Sequence, residues 1–184
     1  MEHLTRDELE AGLDEIRRSP DDDGSIALIV SRPAVDERVI LDEATLDTAV
    51  GLVGDTWSER GSTSTDDGSA NPLAQLTLMN VRAAKLIAGG DERRPLAGDQ
   101  LYVDLDLGPA NLPPGTRLAL GAAVIEVTDK PHTGCKKFAE RFGQEAVRFV
   151  NSPAGRELNL RGINTKVLVR GTVRVGDSVR KSPV

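Results

Sequence analysis

From Gly98 onward the chain runs in period 2, and that pattern decides what it can fold into. Leu101, Val103, Leu105 and Leu107 alternate with Tyr102, Asp104 and Asp106, the pattern of a strand with one buried face. Turn residues at Gly108-Pro109 and Pro113-Pro114-Gly115 separate it from two further strands, predicted over 116–120 and 122–127. The spacing Leu118-x-Leu120-Gly121-x-x-Val124 returns as Val173-x-Val175-Gly176-x-x-Val179, which predicts a second tight Gly turn in a final hairpin, after a strand at 166–169. Many short strands with few helices between them predict a mainly β chain with peripheral helices (α+β), its strands forming a closed or nearly closed barrel rather than a parallel sheet.

The earlier part of the chain supplies the helices and the remaining strands. Thr5 and Glu8 have capping-box spacing, with Leu4 and Leu9 placed as a hydrophobic staple, so a helix carrying Leu9, Leu13 and Ile16 on one stripe is expected to end at Ser19-Pro20. Ser25 to Ser31 reads as a buried strand and Arg38 to Leu41 as its hairpin partner; Asp42 to Val50 reads as a short helix closed by Gly51. Residues 59–72 have no periodicity, and a loop of that length is expected to be a mobile flap near the site. Gln75 to Met79 is a predicted strand, and Asn80 a predicted cap for a helix from Val81 to Ala88 that stops at Gly89-Gly90. A helical region is expected over 138–150, with residues 1–50 packed on the barrel as part of one domain.

Aromatic residues are 3% of the chain, so its core must be built from Leu, Val, Ile and Ala. The single cysteine excludes an internal disulfide and fits a reducing compartment. No stretch approaches 18 apolar residues and the N-terminus lacks a signal-peptide pattern, which predicts no membrane partner and a cytoplasmic location. Charge is polarised: residues 130–184 hold 12 Lys and Arg against 4 Asp and Glu, whereas residues 1–129 hold 11 against 25. Such a C-terminal third is suited to surrounding an anion, either a phosphorylated small molecule or nucleic acid. The alternative is a scattered, solvated set of surface charges.

Lys130-Pro131-His132-Thr133-Gly134-Cys135-Lys136-Lys137 concentrates the chemistry. Phe138 and Phe142 stand i, i+4, and Pro131 and Gly134 break structure before them, so Cys135 falls at the start of a helix. A helix start and neighbouring ammonium groups both favour a thiolate over a thiol. The alternative is a buried, inert cysteine.

Gly98-Asp99-Gln100-Leu101, the strand pair at 118–127, Gly134-Cys135 with its lysines, Arg161-Gly162 and the closing segment 171–180 stand in an order that resembles the MOSC domain, the module named for the C-terminal part of molybdenum-cofactor sulfurases. Gly51 to Asp55 resembles that family's Gly-x-x-Gly-Asp element, which assigns 51–184 to the MOSC domain. The resemblance implies a β-barrel of the kind in the small domain of pyruvate kinase, with helices outside. It also implies a site for a molybdopterin-type molybdenum cofactor, with Cys135 as catalytic thiol and metal ligand. In relatives that reduce N-hydroxylated compounds this cysteine ligates molybdenum; in sulfurases the module binds cofactor or receives sulfur. The chain is too short for a pyridoxal-phosphate desulfurase domain and has no Cys cluster for an iron–sulfur centre, so electrons or sulfur would come from a donor protein. Where related bacterial proteins often have Pro before the cysteine, this chain has Gly134.

On that resemblance Lys136, Lys137 and Arg161 are the expected phosphate contacts, Arg161 with a bidentate fork. His132 is expected to donate to a cofactor oxygen or to tune Cys135, and Thr133, Asn164 and Asp99 are expected at the cofactor. Each has a plainer alternative: a solvated strand-end charge for Arg161, a backbone-satisfied ring for His132, a turn residue for Asp99. Two rival functions stay open. One is a metal-free cysteine enzyme on an anionic substrate, with His132 activating Cys135. The other is a non-catalytic anion- or nucleic-acid-binding barrel, less favoured because Phe138, Phe142 and Phe149 sit at helical spacing, like core.

Overall fold

The computed structural model describes residues 3–183. Thr5 caps α1 (Arg6–Ala11) through the expected capping box, its Oγ1 accepting from Glu8 N–H while Glu8 Oε2 accepts from Thr5 N–H. The stripe then crosses a break at Gly12 into α2 (Leu13–Arg17), so one expected helix is two. β1 (Gly24–Ser31) pairs antiparallel with β2 (Val39–Leu41), as the hairpin reading anticipates.

Asp42 to Val50 is not a helix. Glu43–Asp47 forms strand β3, which pairs with β4 (Gly51–Leu52) and with the distant β10 (Gly171–Arg174) in a small three-stranded sheet. Ala44 and Leu46 alternate inward there and are buried, and the Asp, Thr and Val residues of 42–50 are weak helix formers, so long-range pairing decides the segment.

β5 (Leu76–Asn80) leads directly into α3 (Val81–Ala88) at the predicted cap. Asn80 Oδ1 accepts from the N–H groups of Arg82 and Ala83 at 2.9 and 3.0 Å, and its Nδ2 donates to Ser19 Oγ and the Leu105 carbonyl at 2.7 and 2.8 Å. Asn80→Ala should therefore cost about 2 kcal/mol, the upper end for a lost cap, because a buried carbonyl also loses its donor. A urea midpoint indistinguishable from that of the unaltered protein would refute this.

β6 (Leu101–Asp104), β7 (Arg117–Leu120), β8 (Ala123–Val127), β9 (Ile163–Val169) and β11 (Ser178–Ser182) complete the strands. Seven of them close a mixed barrel in the order β11-β7-β8-β9-β5-β6-β1, with β1 returning to β11. Only the β5–β6 pair in it is parallel, joined by the crossover through α3. β1, from the first fifty residues, is thus a stave of the barrel. The expected final hairpin is absent: β10 pairs with β3, while β11 pairs with β7 and β1. The Gly176 turn hands the chain from one sheet to the other, whereas Gly121 makes a true hairpin between β7 and β8.

Strand alternation creates two cores. Ile29, Leu78, Leu101 and Val103 fill the barrel, and their neighbours Val30, Met79 and Tyr102 face outward into a second cluster with α3, α4 (Lys136–Phe142) and α5 (Gln144–Val150). Tyr102, predicted on a solvated face, is fully buried under those helices. Phe138, Phe142 and Phe149 anchor α4 and α5, each worth about 1.5–3 kcal/mol of burial. α6 (Pro153–Glu157) follows, and no described helix is long and apolar enough to cross a membrane.

Candidate functional site

The 130–135 segment leaves β8 and is tied down from two sides. Asn164, on β9, donates from Nδ2 to the carbonyls of Lys130 and Pro131 at 3.0 and 3.3 Å, and Gly134 N–H donates to Asn151 Oδ1 at 3.2 Å. A Cβ on Gly134 would lie 2.9 Å from Val150 Cγ2, so any larger residue must push α5 side chains aside, and proline would also lack the bonded N–H. Cys135 is the N-cap residue of α4 and is exposed, so the inert core thiol is excluded.

The thiol edges a cavity of about 190 Å³ assembled from distant parts of the chain. Arg32 and Arg38 come from the segment after β1, Arg60 from the long loop, Lys137 and Arg141 from α4, and Arg161 from the turn just before β9; Asp36 is the one acid among the lining residues. Arg32 makes a fork to the fully buried Asp55, Nε to Oδ2 at 2.7 Å and Nη2 to Oδ1 at 2.8 Å, and Nη1 donates to the Gly98 carbonyl. Asp55 also accepts from the backbone of Arg32 and Trp57. Arg141 spans Asp36 and the Leu96 carbonyl.

Positive charge remains in excess. Burial, then Arg141 and Arg32, lowers Arg38 from the usual guanidinium value; burial, then Arg32, does the same to Arg60. The Nε groups of Arg38 and Arg161 are buried with no acceptor among the described residues. Such a pocket is built to take an anion.

Arg161 is spoken for on both Nη groups: Nη1 donates to Asp99 Oδ2 at 2.7 Å and Nη2 to the Ala97 carbonyl at 3.0 Å, with its guanidinium 4.9 Å from the Phe138 ring centre. Neither a solvated charge nor a free bidentate fork describes it. Gly162 beside it has φ +99° and a Cβ there would fall 2.1 Å from the Leu78 carbonyl oxygen, so the Arg161-Gly162 pair sits hard against β5. Asp99 is no turn residue but a buried carboxyl, pushed up by burial and pulled back by Arg161.

The predicted set is thus partly brought together. Cys135, Lys137 and Arg161 share the cavity; Lys136 does not line it and extends into solvent 4.0 Å from Glu140, and Thr133 is exposed and lines neither this cavity nor the next. His132 and Asn164 line a second cavity of about 230 Å³, with His132 Nδ1 directed at Asp99 rather than at the thiol. Sequence reasoning missed Arg32, Arg38, Arg60, Arg141 and the role of Asp55. The charge asymmetry misdirected it, since three of those arginines lie in the acidic part of the chain; an Arg directly after a fully buried strand was the available signal.

Residues 55–180 match the family profile of the MOSC domain. The chain belongs to the MOSC domain family. This MOSC protein is similar in fold to the YuaD protein of Bacillus subtilis, with a TM-score of 0.63 at 16% identity over 88% of this chain and 97% of that one. It is also similar to YiiM of Escherichia coli, with a TM-score of 0.56 at 19% identity over 87% of this chain and 70% of YiiM, and to YiiM of Geobacillus stearothermophilus at the same score and 12% identity. A search of curated proteins found no match. The barrel and the family expected from the sequence are both found, and the MOSC family as a whole is linked to the molybdenum cofactor.

Proposed function

We propose that this MOSC protein binds a molybdenum–pterin cofactor in the cavity beside Cys135, with the Cys135 sulfur as a metal ligand. The reaction served is reduction of N-hydroxylated compounds or transfer of cofactor sulfur. One observation carries the reading: an exposed thiol stands at a cavity with six cationic side chains, two of which keep a buried N–H without an acceptor. These residues fit the group, because a phosphate needs converging cations and molybdenum takes a soft sulfur donor. When bound, the cofactor supplies a metal centre able to exchange electrons and oxygen or sulfur.

The chain's own residues divide the remaining work. Arg38 and Lys137, which make no ion pair among the described residues, receive the anionic end together with Arg60, whose contact with Asp55 is long at 3.9 Å. Asp55 holds Arg32, and Asp99 holds Arg161, in fixed positions along the wall. Exposure of Cys135 leaves it open to an electron- or sulfur-donor protein, and the lone cysteine suits a cytoplasmic setting. Phe138, Phe142 and Phe149 are buried, so they offer no stacking platform and support no nucleic-acid reading.

The test is molybdenum and pterin content per chain in protein made by a cofactor-producing host, beside phosphate affinity. Arg38→Ala should weaken binding of inorganic phosphate by about 1.5–3 kcal/mol, roughly 10- to 150-fold in Kd. A chain isolated free of molybdenum and pterin, with phosphate affinity unaltered by Arg38→Ala, would defeat the reading.

A further inference from the structure

Arg161, Asp99 and His132 form the wall between the thiol cavity and the second cavity, and two polar atoms within it face each other unmatched. Asp99 is fully buried; Oδ2 accepts from Arg161, and Oδ1 has no donor among the described residues. His132 Nδ1 lies 3.6 Å from that Oδ1 and is also buried without a partner. Leaving both unmatched is costly, and a closure of less than an ångström makes an ordinary N–H···O bond. Since a carboxylate held by Arg161 can only accept, the ring proton belongs on Nδ1, which leaves Nε2 as an acceptor. Burial first, then the charges of Arg161 and Arg32, pushes His132 well below 6.5, so the ring is neutral near pH 7.

The second cavity lies where the β6–β7 loop, the segment after β8 and the start of β9 meet. Pro109, Leu112, Pro114 and Ile163 give it an apolar wall. Its charged lining residues, Asp129 and Lys130, carry one charge of each sign. It therefore differs in kind from the cation-lined thiol cavity: an anion gains nothing there, whereas an uncharged molecule with one proton to donate meets an acceptor and an apolar surface.

We infer that the second cavity binds a small neutral compound bearing one O–H or N–H group on an apolar body, with His132 Nε2 accepting that group's hydrogen bond. Asp99 is the positioning residue: it fixes the tautomer and orientation of the ring, and Arg161 holds its Oδ2 in place. The site needs no cofactor and stands apart from the function proposed above.

The experiment uses the whole chain without cofactor, labelled with [15N]histidine, so that the ring nitrogens are read directly; the protein has two histidines, and His132→Phe assigns them. The probe is benzyl alcohol and the control is toluene, which has the same body and no donor. The wild-type ring should be the neutral Nδ1–H tautomer at pH 7. Benzyl alcohol should shift the Nε2 resonance and bind roughly three- to tenfold more tightly than toluene, the worth of one hydrogen bond. His132→Phe should abolish that preference while toluene still binds. Asp99→Asn should move the ring toward the Nε2–H tautomer, and the wild-type titration decides the matter even if that variant does not fold. An Nε2–H tautomer in the wild type, an unmoved Nε2 resonance, or equal affinity for the two probes would overturn the inference.

Discussion

Cys135→Ser should fold normally and fail to hold the molybdenum proposed for this site. Serine is among the best N-cap residues, and position 135 caps α4 with no side-chain bond of its own, so the substitution keeps or slightly improves the start of that helix. The thiol is exposed, so no packed volume is lost either. What changes is the donor: a soft sulfur gives way to a hard hydroxyl oxygen. Molybdenum retention should fall by more than the roughly 10–100-fold typical of removing a group that merely supports a ligand. Elemental analysis alongside a thermal melt reads both halves. If the serine variant keeps a full complement of molybdenum, the sulfur is not a ligand. A sulfur carrier behaves differently: metal-free wild-type protein would gain sulfur at Cys135 from a donor, and cyanide would remove it.

Asp55→Ala should be the most destabilising single change at this site, at about 3–5 kcal/mol, because it strands a buried guanidinium. Asp55 is fully buried and takes hydrogen bonds from Arg32 Nε, Arg32 Nη2, Arg32 N–H and Trp57 N–H, so one carboxylate ties β1, the segment after β4 and the cavity wall together. For a chain of this length the melting temperature should drop by on the order of 10 °C. Replacing both partners, as Arg32→Met with Asp55→Leu, should recover much of that loss while still damaging the anion cavity, since well-packed apolar residues substitute for a buried pair at little cost. A melt of Asp55→Ala within a degree of the wild type would show that the pair is not structural.

Local signals were read correctly at most places where the deciding contacts lie within a few residues, the break at Gly12 between α1 and α2 being the exception. The Thr5–Glu8 box, the Asn80 cap, the Gly121 hairpin and the placement of Cys135 at a helix start all depend on neighbours at most four positions away. The same local reasoning failed for 42–50, where the partner of Leu46 is Gly171, and for Gly176, where a tight turn leads into two strands that never meet. In both places a distant pairing decided the outcome.

The amino-acid sequence by itself determined that this is a mainly β MOSC chain with its one thiol at the start of a helix, because period, caps and motif order are properties of short stretches. Which charges that thiol meets was decided only by the tertiary structure. Closing β1 onto β6 and β11 carries Arg32 and Arg38 from the acidic part of the chain to the side of Cys135, while a single-residue step of about 100° around the helix is enough to send Lys136, its immediate neighbour, into solvent. Adjacency along the chain says little about which side a residue faces; barrel closure brings together side chains about a hundred residues apart, and their unmatched charge is what suits the cavity to the anion proposed for it.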